Sequence, residues 1–300
     1  MIRSLKLMLA AIAFVAVAAC DSAQEDAPIV EVEGAASPLF YEISGPTGVT
    51  HGWMLGTIHA LPDGTDWLTP AIRSAIEEAD HTLVEVVNLT DAQEIAETFS
   101  RLGTSPDQGS LSLRVSPQYT SSLDEMIEEA GLERTQFYDT ETWAAAIMLS
   151  RVGSVGKPRN GVDRYIISRF QDRAVFGLEL ASEQLGIFDS LAEEDQRALL
   201  EGTIDEWLTS RDNPGRLTRA WLEGDEATLL QATNVGIMAD PEIRDALLVQ
   251  RNKDWLPTIL IQLADTQKPF IAVGAAHLIG PDGLKTMLEA EGYTVTRISN

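Results

Sequence analysis

The chain has only four histidines: His51, His59, His81 and His277. Gly-x-x-His occurs three times, and two of the occurrences, Gly56-Thr57-Ile58-His59 and Gly274-Ala275-Ala276-His277, also share their surroundings. Each pattern ends an apolar run, and each is followed by a loop containing Pro-Asp-Gly. An imidazole at the carboxyl end of a strand is placed to ligate a metal or take a proton, because ligands of open α/β sheets sit outside those ends. A glycine three residues earlier (Gly56, Gly274) lets backbone or ligand approach closely. The alternative is that each histidine merely hydrogen-bonds its own loop.

Carboxylates supply the second class of candidate. Glu85 interrupts the apolar run Leu83-Val84-Glu85-Val86-Val87, and Glu179 does the same in Gly177-Leu178-Glu179-Leu180. A buried carboxylate must be paired, protonated or metal-bound, since an isolated buried charge costs several kcal/mol. Either one could instead lie on a solvated sheet face. His59, His277 and one of these acids would make a two-histidine, one-carboxylate set able to hold a divalent ion and keep positions open for water and substrate. Arg251, followed by Asn252, falls on the stripe Leu247, Leu248, Trp255, Ile259, Leu263 of an expected helix. A guanidinium on such a face needs anionic partners: a substrate carboxylate, a developing oxyanion, or simply Glu85 or Glu179. Asp163, in Gly161-Val162-Asp163-Arg164, reads as a site acid or as a helix N-cap. Trp143, Trp221 and Trp255 sit at apolar helical positions and read as core.

The elements that must carry these residues form a mixed α/β pattern. Strands are expected at 39–44, 51–58, 82–88, 174–180, 269–275 and 293–298, each a short apolar or β-branched run. The middle, 91–265, reads as mostly helical apart from the strand near 174–180 and a break around Gly153–Gly161. Thr69-Pro70 has the form of an N-cap with proline at the first helical position, Thr90–Gln93 has capping-box spacing, and Gly224-Asp225 ends one helix and caps the next. The two Gly-x-x-His units, far apart in sequence, are expected to form adjacent parts of one sheet, with the central helices inserted as a lobe.

Composition bounds the partners. The 300 residues include 46 acids and 22 Lys or Arg, for a formal charge of −24. That balance excludes a nucleic-acid binder and a polybasic lipid-surface binder. The single cysteine, Cys20, excludes an intrachain disulfide. Residues 1–19 are a basic start followed by an apolar run from Leu7 to Ala19, the form of a secretory signal and too short to span a bilayer comfortably. Val17-Ala18-Ala19-Cys20 resembles a bacterial lipobox, which implies lipidation of Cys20 and removal of what precedes it. Residues 20–38, rich in acid, Ala and Pro, read as a flexible tether, and 39–300 as the folded domain. The expected location is therefore the cell envelope, on a membrane facing the periplasm or exterior and attached by the lipid alone. No His-Glu-x-x-His, Walker A loop, dinucleotide fingerprint or Gly-x-Ser-x-Gly is present.

Two Gly-x-x-His elements bracketing the domain, the Glu85 strand after the first, Gly161-Val162-Asp163, Gly177-Leu178-Glu179 with Gln184, Trp221–Asp225, and Arg251-Asn252 before the last motif together resemble the TraB/GumN family, related to the Tiki proteases that act on Wnt proteins. The resemblance covers roughly 38–300. It implies a mixed sheet with helices, akin to the erythromycin-esterase and ChaN-like folds, and a metal-dependent peptidase favouring Mn²⁺ or Co²⁺, with Zn²⁺ as a further choice. His59, His277 and Glu85 match the metal or catalytic positions, Arg251 and Asn252 the Arg-Asn pair, and Asp163 and Glu179 further family acids. The expected reaction is attack of activated water on a peptide or other acyl carbonyl, with Arg251 steadying the oxyanion. The competing expectation is a non-catalytic envelope lipoprotein that binds a peptide, a glycan or an assembly partner. An esterase or a haem-binding relative follows from fold analogy alone.

Overall fold

The computed structural model describes residues 35–299. The expected signal segment 1–19, Cys20 and the expected tether up to residue 34 lie outside the described residues. The last stretch expected as tether is packed: Ala36 is buried, Ser37 N donates to Leu222 O at 2.7 Å, and Arg297 Nη2 donates to Ser37 O at 2.6 Å. Packed chain therefore begins ahead of Leu39.

Six strands form one sheet: β1 (Phe40–Ser44), β2 (Thr50–Thr57), β3 (His81–Val86), β4 (Ala174–Glu179), β5 (Pro269–Gly274) and β6 (Thr294–Arg297). Their spatial order is β4-β3-β5-β2-β1-β6. Strands β4, β3, β5 and β2 run parallel, while β1 is antiparallel to both its neighbours. The fold is thus α/β with a mixed sheet, and the strands lie within two residues of the expected ends. Every residue of β3 and β5 is buried, as unbroken apolar runs flanked by helices require. The two Gly-x-x-His segments meet as neighbours, for β2 pairs with β5 with Thr57 opposite Gly274.

The helices are α1 (Pro70–Glu78), α2 (Ala92–Leu102), α3 (Thr120–Glu129), α4 (Thr142–Leu149), α5 (Val162–Arg169), α6 (Ala181–Asp189), α7 (Glu193–Asp212), α8 (Arg216–Glu223), α9 (Glu226–Ala232), α10 (Pro241–Arg244), α11 (Gln250–Ala264) and α12 (Leu284–Ala290). Their ends follow local chemistry. Thr69 accepts from Ile72 N at the start of α1, whose face then buries Ile72, Ala75 and Ile76. Gly224 ends α8 at φ +64, and Asp225 caps α9 by accepting from Thr228 N. At α2 the cap lies one residue later than the expected box: Asp91 accepts from Glu94 N. A π-helical turn, Asp245–Val249, leads into α11.

Two cores result. One packs against both faces of the sheet and takes in Trp221 and Trp255. The other fills a helical lobe built from α2, α3, α4, α6 and α7, around Phe137, Trp143 and Trp207. The seam between them runs along the carboxyl ends of the strands. No helix among the described residues is long and apolar enough to cross a membrane.

Candidate active site

The carboxyl ends of β2, β5, β3 and β4 line up along one edge of the sheet, because these four strands are parallel. His59 lies two residues past the end of β2, and His277 three past the end of β5. Glu85 is the penultimate residue of β3, and Glu179 ends β4. Helices α5 and α11 close over this edge, bringing Asp163 from one and Arg251 and Asn252 from the other. All seven residues expected to carry chemistry come together here. The remaining histidines lie elsewhere: His51 Nδ1 is bonded to Leu263 O at 2.7 Å, and His81 packs edge-on against Phe176.

His59 is backed by a carboxylate. Its Nδ1 meets Asp163 Oδ2 at 2.7 Å, while Asp163 Oδ1 accepts from Thr57 Oγ1 at 2.5 Å. Asp163 is in the first turn of α5, whose N-terminal N–H groups favour a negative charge. The cap position itself belongs to Gly161, so Asp163 is not the N-cap. A Cβ on Gly161 would collide with the carbonyl of His59, which explains the glycine there. With Nδ1–H held by the acid, Nε2 is left without a protein partner, and a quarter of the side chain is open to solvent. Burial pulls the imidazole pKa down, but the Asp163 charge and hydrogen bond outweigh it and raise it to about 9. At neutral pH, Nε2 therefore carries a proton until something displaces it.

His277 is held differently. Its Nδ1–H donates to Asn252 Oδ1 at 2.7 Å, and the Asn252 amide is fixed by donating to His277 O and to Asp282 O. Its Nε2 accepts from Arg251 Nη1 at 3.2 Å. Both ring nitrogens are therefore used. Burial and the Arg251 charge push the pKa down to about 3, so the ring is neutral. The Trp255 ring covers it, with centroids 4.5 Å apart.

Arg251 is the hub. Nη2 donates to Glu85 Oε1 at 2.6 Å and to Glu179 Oε1 at 2.5 Å, Nε to Glu179 Oε2 at 3.2 Å, and Nη1 to Leu247 O at 2.9 Å and to His277 Nε2. A guanidinium has five N–H groups, and all five are spoken for. The role expected for it, steadying an oxyanion, has no free donor in this arrangement. Glu85 is 2% exposed, which rules out the solvated-face alternative. Besides Arg251, its oxygens accept from Gln184 Nε2 at 2.9 Å and Gly274 N at 3.0 Å. Burial would raise its pKa, but Arg251 and the neighbouring imidazoles hold it down to about 2. For Glu179, burial prevails over Arg251, with the Glu85 charge adding to it, and the pKa rises to about 7.

Gly274 is the floor of the site. A Cβ there would stand 3.3 Å from Glu85 Oε2, 3.5 Å from His277 Cδ2 and 3.9 Å from His59 Nε2. Gly56 has a different duty: its Cβ would lie 3.0 Å from Ala275 Cα, so it lets β2 approach the turn that carries His277. Three contributors went unassigned a role in the sequence. Thr57 positions Asp163, Gln184 binds Glu85, and Trp255, expected as plain core, walls the site against His277 and Arg251, its ring 4.7 Å from the guanidinium. Thr57 left a signal, sitting two residues before His59 and so on the same side of an extended chain, and Trp255 left another, on the same helical stripe as Arg251.

The donors suit a divalent ion in kind. Each imidazole has its Nδ1–H held from behind by Asp163 or Asn252, the arrangement that orients metal-binding histidines, and Glu85 faces the same Gly274 floor. Among the described residues, however, no three His, Cys, Asp or Glu side chains gather round one point as ligands. Arg251 stands among them.

The family described as TraB/PrgY/gumN matches residues 39–297, nearly the whole folded part. No curated protein matches the chain.

Proposed function

The chain belongs to the TraB/PrgY/gumN family, and on that premise we propose that it is a metal-dependent hydrolase of peptidase type, held in the bacterial cell envelope by a lipid on Cys20. The observation that carries the reading is the His59–Asp163 pair at 2.7 Å with Nε2 open beside the Gly274 floor. A backed imidazole facing a glycine-lined space is the arrangement that acid–base and metal chemistry both need.

His59 Nε2, Glu85 and His277 Nε2 are the atoms that would hold the ion, Mn²⁺, Co²⁺ or Zn²⁺. When bound, such an ion supplies Lewis acidity that acidifies water and polarises a carbonyl. The chain's own residues do the rest. Asp163 fixes which nitrogen of His59 faces the substrate, and Thr57 fixes Asp163. Asn252 does the same for His277. Trp255 keeps water from the far side of the ring. Arg251 offsets part of the repulsion between the buried Glu85 and Glu179 by pairing with both. The excess of acid over base attracts divalent cations toward the site.

One observation favours the second reading, a non-catalytic envelope protein that binds a peptide, a glycan or a partner: Arg251 and both nitrogens of His277 are fully matched, as in a fixed clamp. Elemental analysis of the purified chain beside His59→Ala and His277→Ala separates the two. Metal in the wild type, lost in both folded variants, supports the hydrolase. Metal absent throughout, with no turnover, supports the binder.

A further inference from the structure

We propose that Arg251 is a resident cation that competes with a divalent ion for this site, so that loading the site requires the guanidinium to leave His277 Nε2 and Glu85. The inference rests on the metal-dependent reading above.

Two of the three expected ligands are already engaged by one side chain. Arg251 Nη1 occupies the lone pair of His277 Nε2, and Nη2 lies 2.6 Å from Glu85 Oε1. Neither histidine can turn to offer its other nitrogen, because Asp163 and Asn252 hold Nδ1 in each. An ion therefore displaces the guanidinium or finds only His59 Nε2 and the second oxygen of Glu85. The second oxygen keeps a lone pair, since Gly274 N is its one protein donor.

The arrangement also shows where Arg251 would go. Its Nε and Nη2 grip both oxygens of Glu179 in a fork, the geometry that suits a planar guanidinium to a carboxylate. That fork does not involve His277, and it survives if the bonds to His277 and Glu85 are given up. The contact to be broken first is the 3.2 Å one, longer than the 2.6 Å bond to Glu85. Glu179 thus serves as the parking place for the displaced cation and needs no part in ligation. Like charges exclude each other from a buried site, so the two occupants exchange.

The test is isothermal titration of Mn²⁺ and Zn²⁺ into the full-length chain in detergent, wild type against Arg251→Met. The double variant Arg251→Met/Glu179→Gln removes one positive and one negative charge together, and covers the case in which the single variant fails to fold by circular dichroism. The folded variant is expected to bind at least about tenfold more tightly than wild type, the scale on which neighbours of metal ligands act. Ion binding by the variant alone gives the same support. Wild type that binds while folded variants bind no tighter overturns the competition and leaves the metal reading standing. No binding by any of the proteins overturns both.

Discussion

Asp163 and His59 meet through Oδ2 and Nδ1 at 2.7 Å, across 104 residues of sequence, and Thr57 braces the acid from the strand that carries the histidine. The pair leaves one ring nitrogen open, whereas His277, held by Asn252 and Arg251, keeps none. The two Gly-x-x-His motifs look equivalent in sequence, yet their histidines are in unequal states.

The inequality makes Asp163 a positioning residue with a measurable effect. In Asp163→Asn the amide can turn its NH₂ toward Nδ1 and force the ring proton onto Nε2. Turnover should fall by about 10²- to 10⁴-fold with the fold retained, as when the acid behind a working histidine is neutralised. Metal affinity should fall by about 10- to 100-fold. Thr57→Val should have a smaller effect of the same sign. Kinetics and metal titration on both variants check this, and an Asp163→Asn protein with wild-type values would leave the acid a merely structural role.

The two motif glycines should separate function from stability. Alanine at Gly274 points its methyl at Glu85, His277 and His59, all within 4 Å. It should impair activity strongly while costing less stability than alanine at Gly56, because its nearest contacts are side-chain atoms no closer than 3.3 Å. Alanine at Gly56 meets Ala275 Cα at 3.0 Å and Leu39 Cβ at 3.3 Å, where backbone must shift. It should cost about 1–3 kcal/mol in urea denaturation. Equal losses of stability in the two variants would contradict the assignment.

Away from the site, Glu206 on α7 lines a cleft of about 160 Å³ beside Trp207, and burial raises its pKa from 4.5 to about 8. The folded chain thus holds a proton on Glu206 that the unfolded chain has lost between those values. Its contribution is fully favourable below pH 4.5 and is lost as pH rises to about 8. Glu206→Gln should therefore gain on wild type as pH rises, by on the order of 1–3 kcal/mol at pH ~8.5 relative to pH ~4.5. Denaturant melts at the two pH values measure it, and an unchanged gap would show that the carboxyl is hydrated.

Much of this architecture was legible in advance. The six strands are short apolar or β-branched runs, and the caps at Thr69 and Gly224-Asp225 are local chemistry that tertiary structure had no reason to override. Glu85 and Arg251 announced themselves as charges on otherwise apolar faces. Their partners did not, because partner choice is tertiary. That Arg251 would take Glu85, Glu179 and His277 together depends on α11 crossing the ends of three strands. Gln184 sits on a helix whose register relative to β3 no local pattern encodes. The state of His277 follows only once all five N–H groups of Arg251 are counted. At the amino end, acid-rich composition suggested a tether as far as 38, yet Ser37 is fixed by a backbone bond to Leu222 and a bond from the Arg297 side chain that composition does not reveal.

On the proposed function, His59 works directly on a substrate. The most direct test of that role is digestion of an unbiased peptide library by the full-length chain with added Mn²⁺, Co²⁺ or Zn²⁺, read by mass spectrometry beside His59→Ala and a chelated control. Wild type should yield a defined set of cleavages that vanishes in His59→Ala and on chelation. Cleavage that persists unchanged in a folded His59→Ala protein, or no cleavage with any of the three ions, would contradict it.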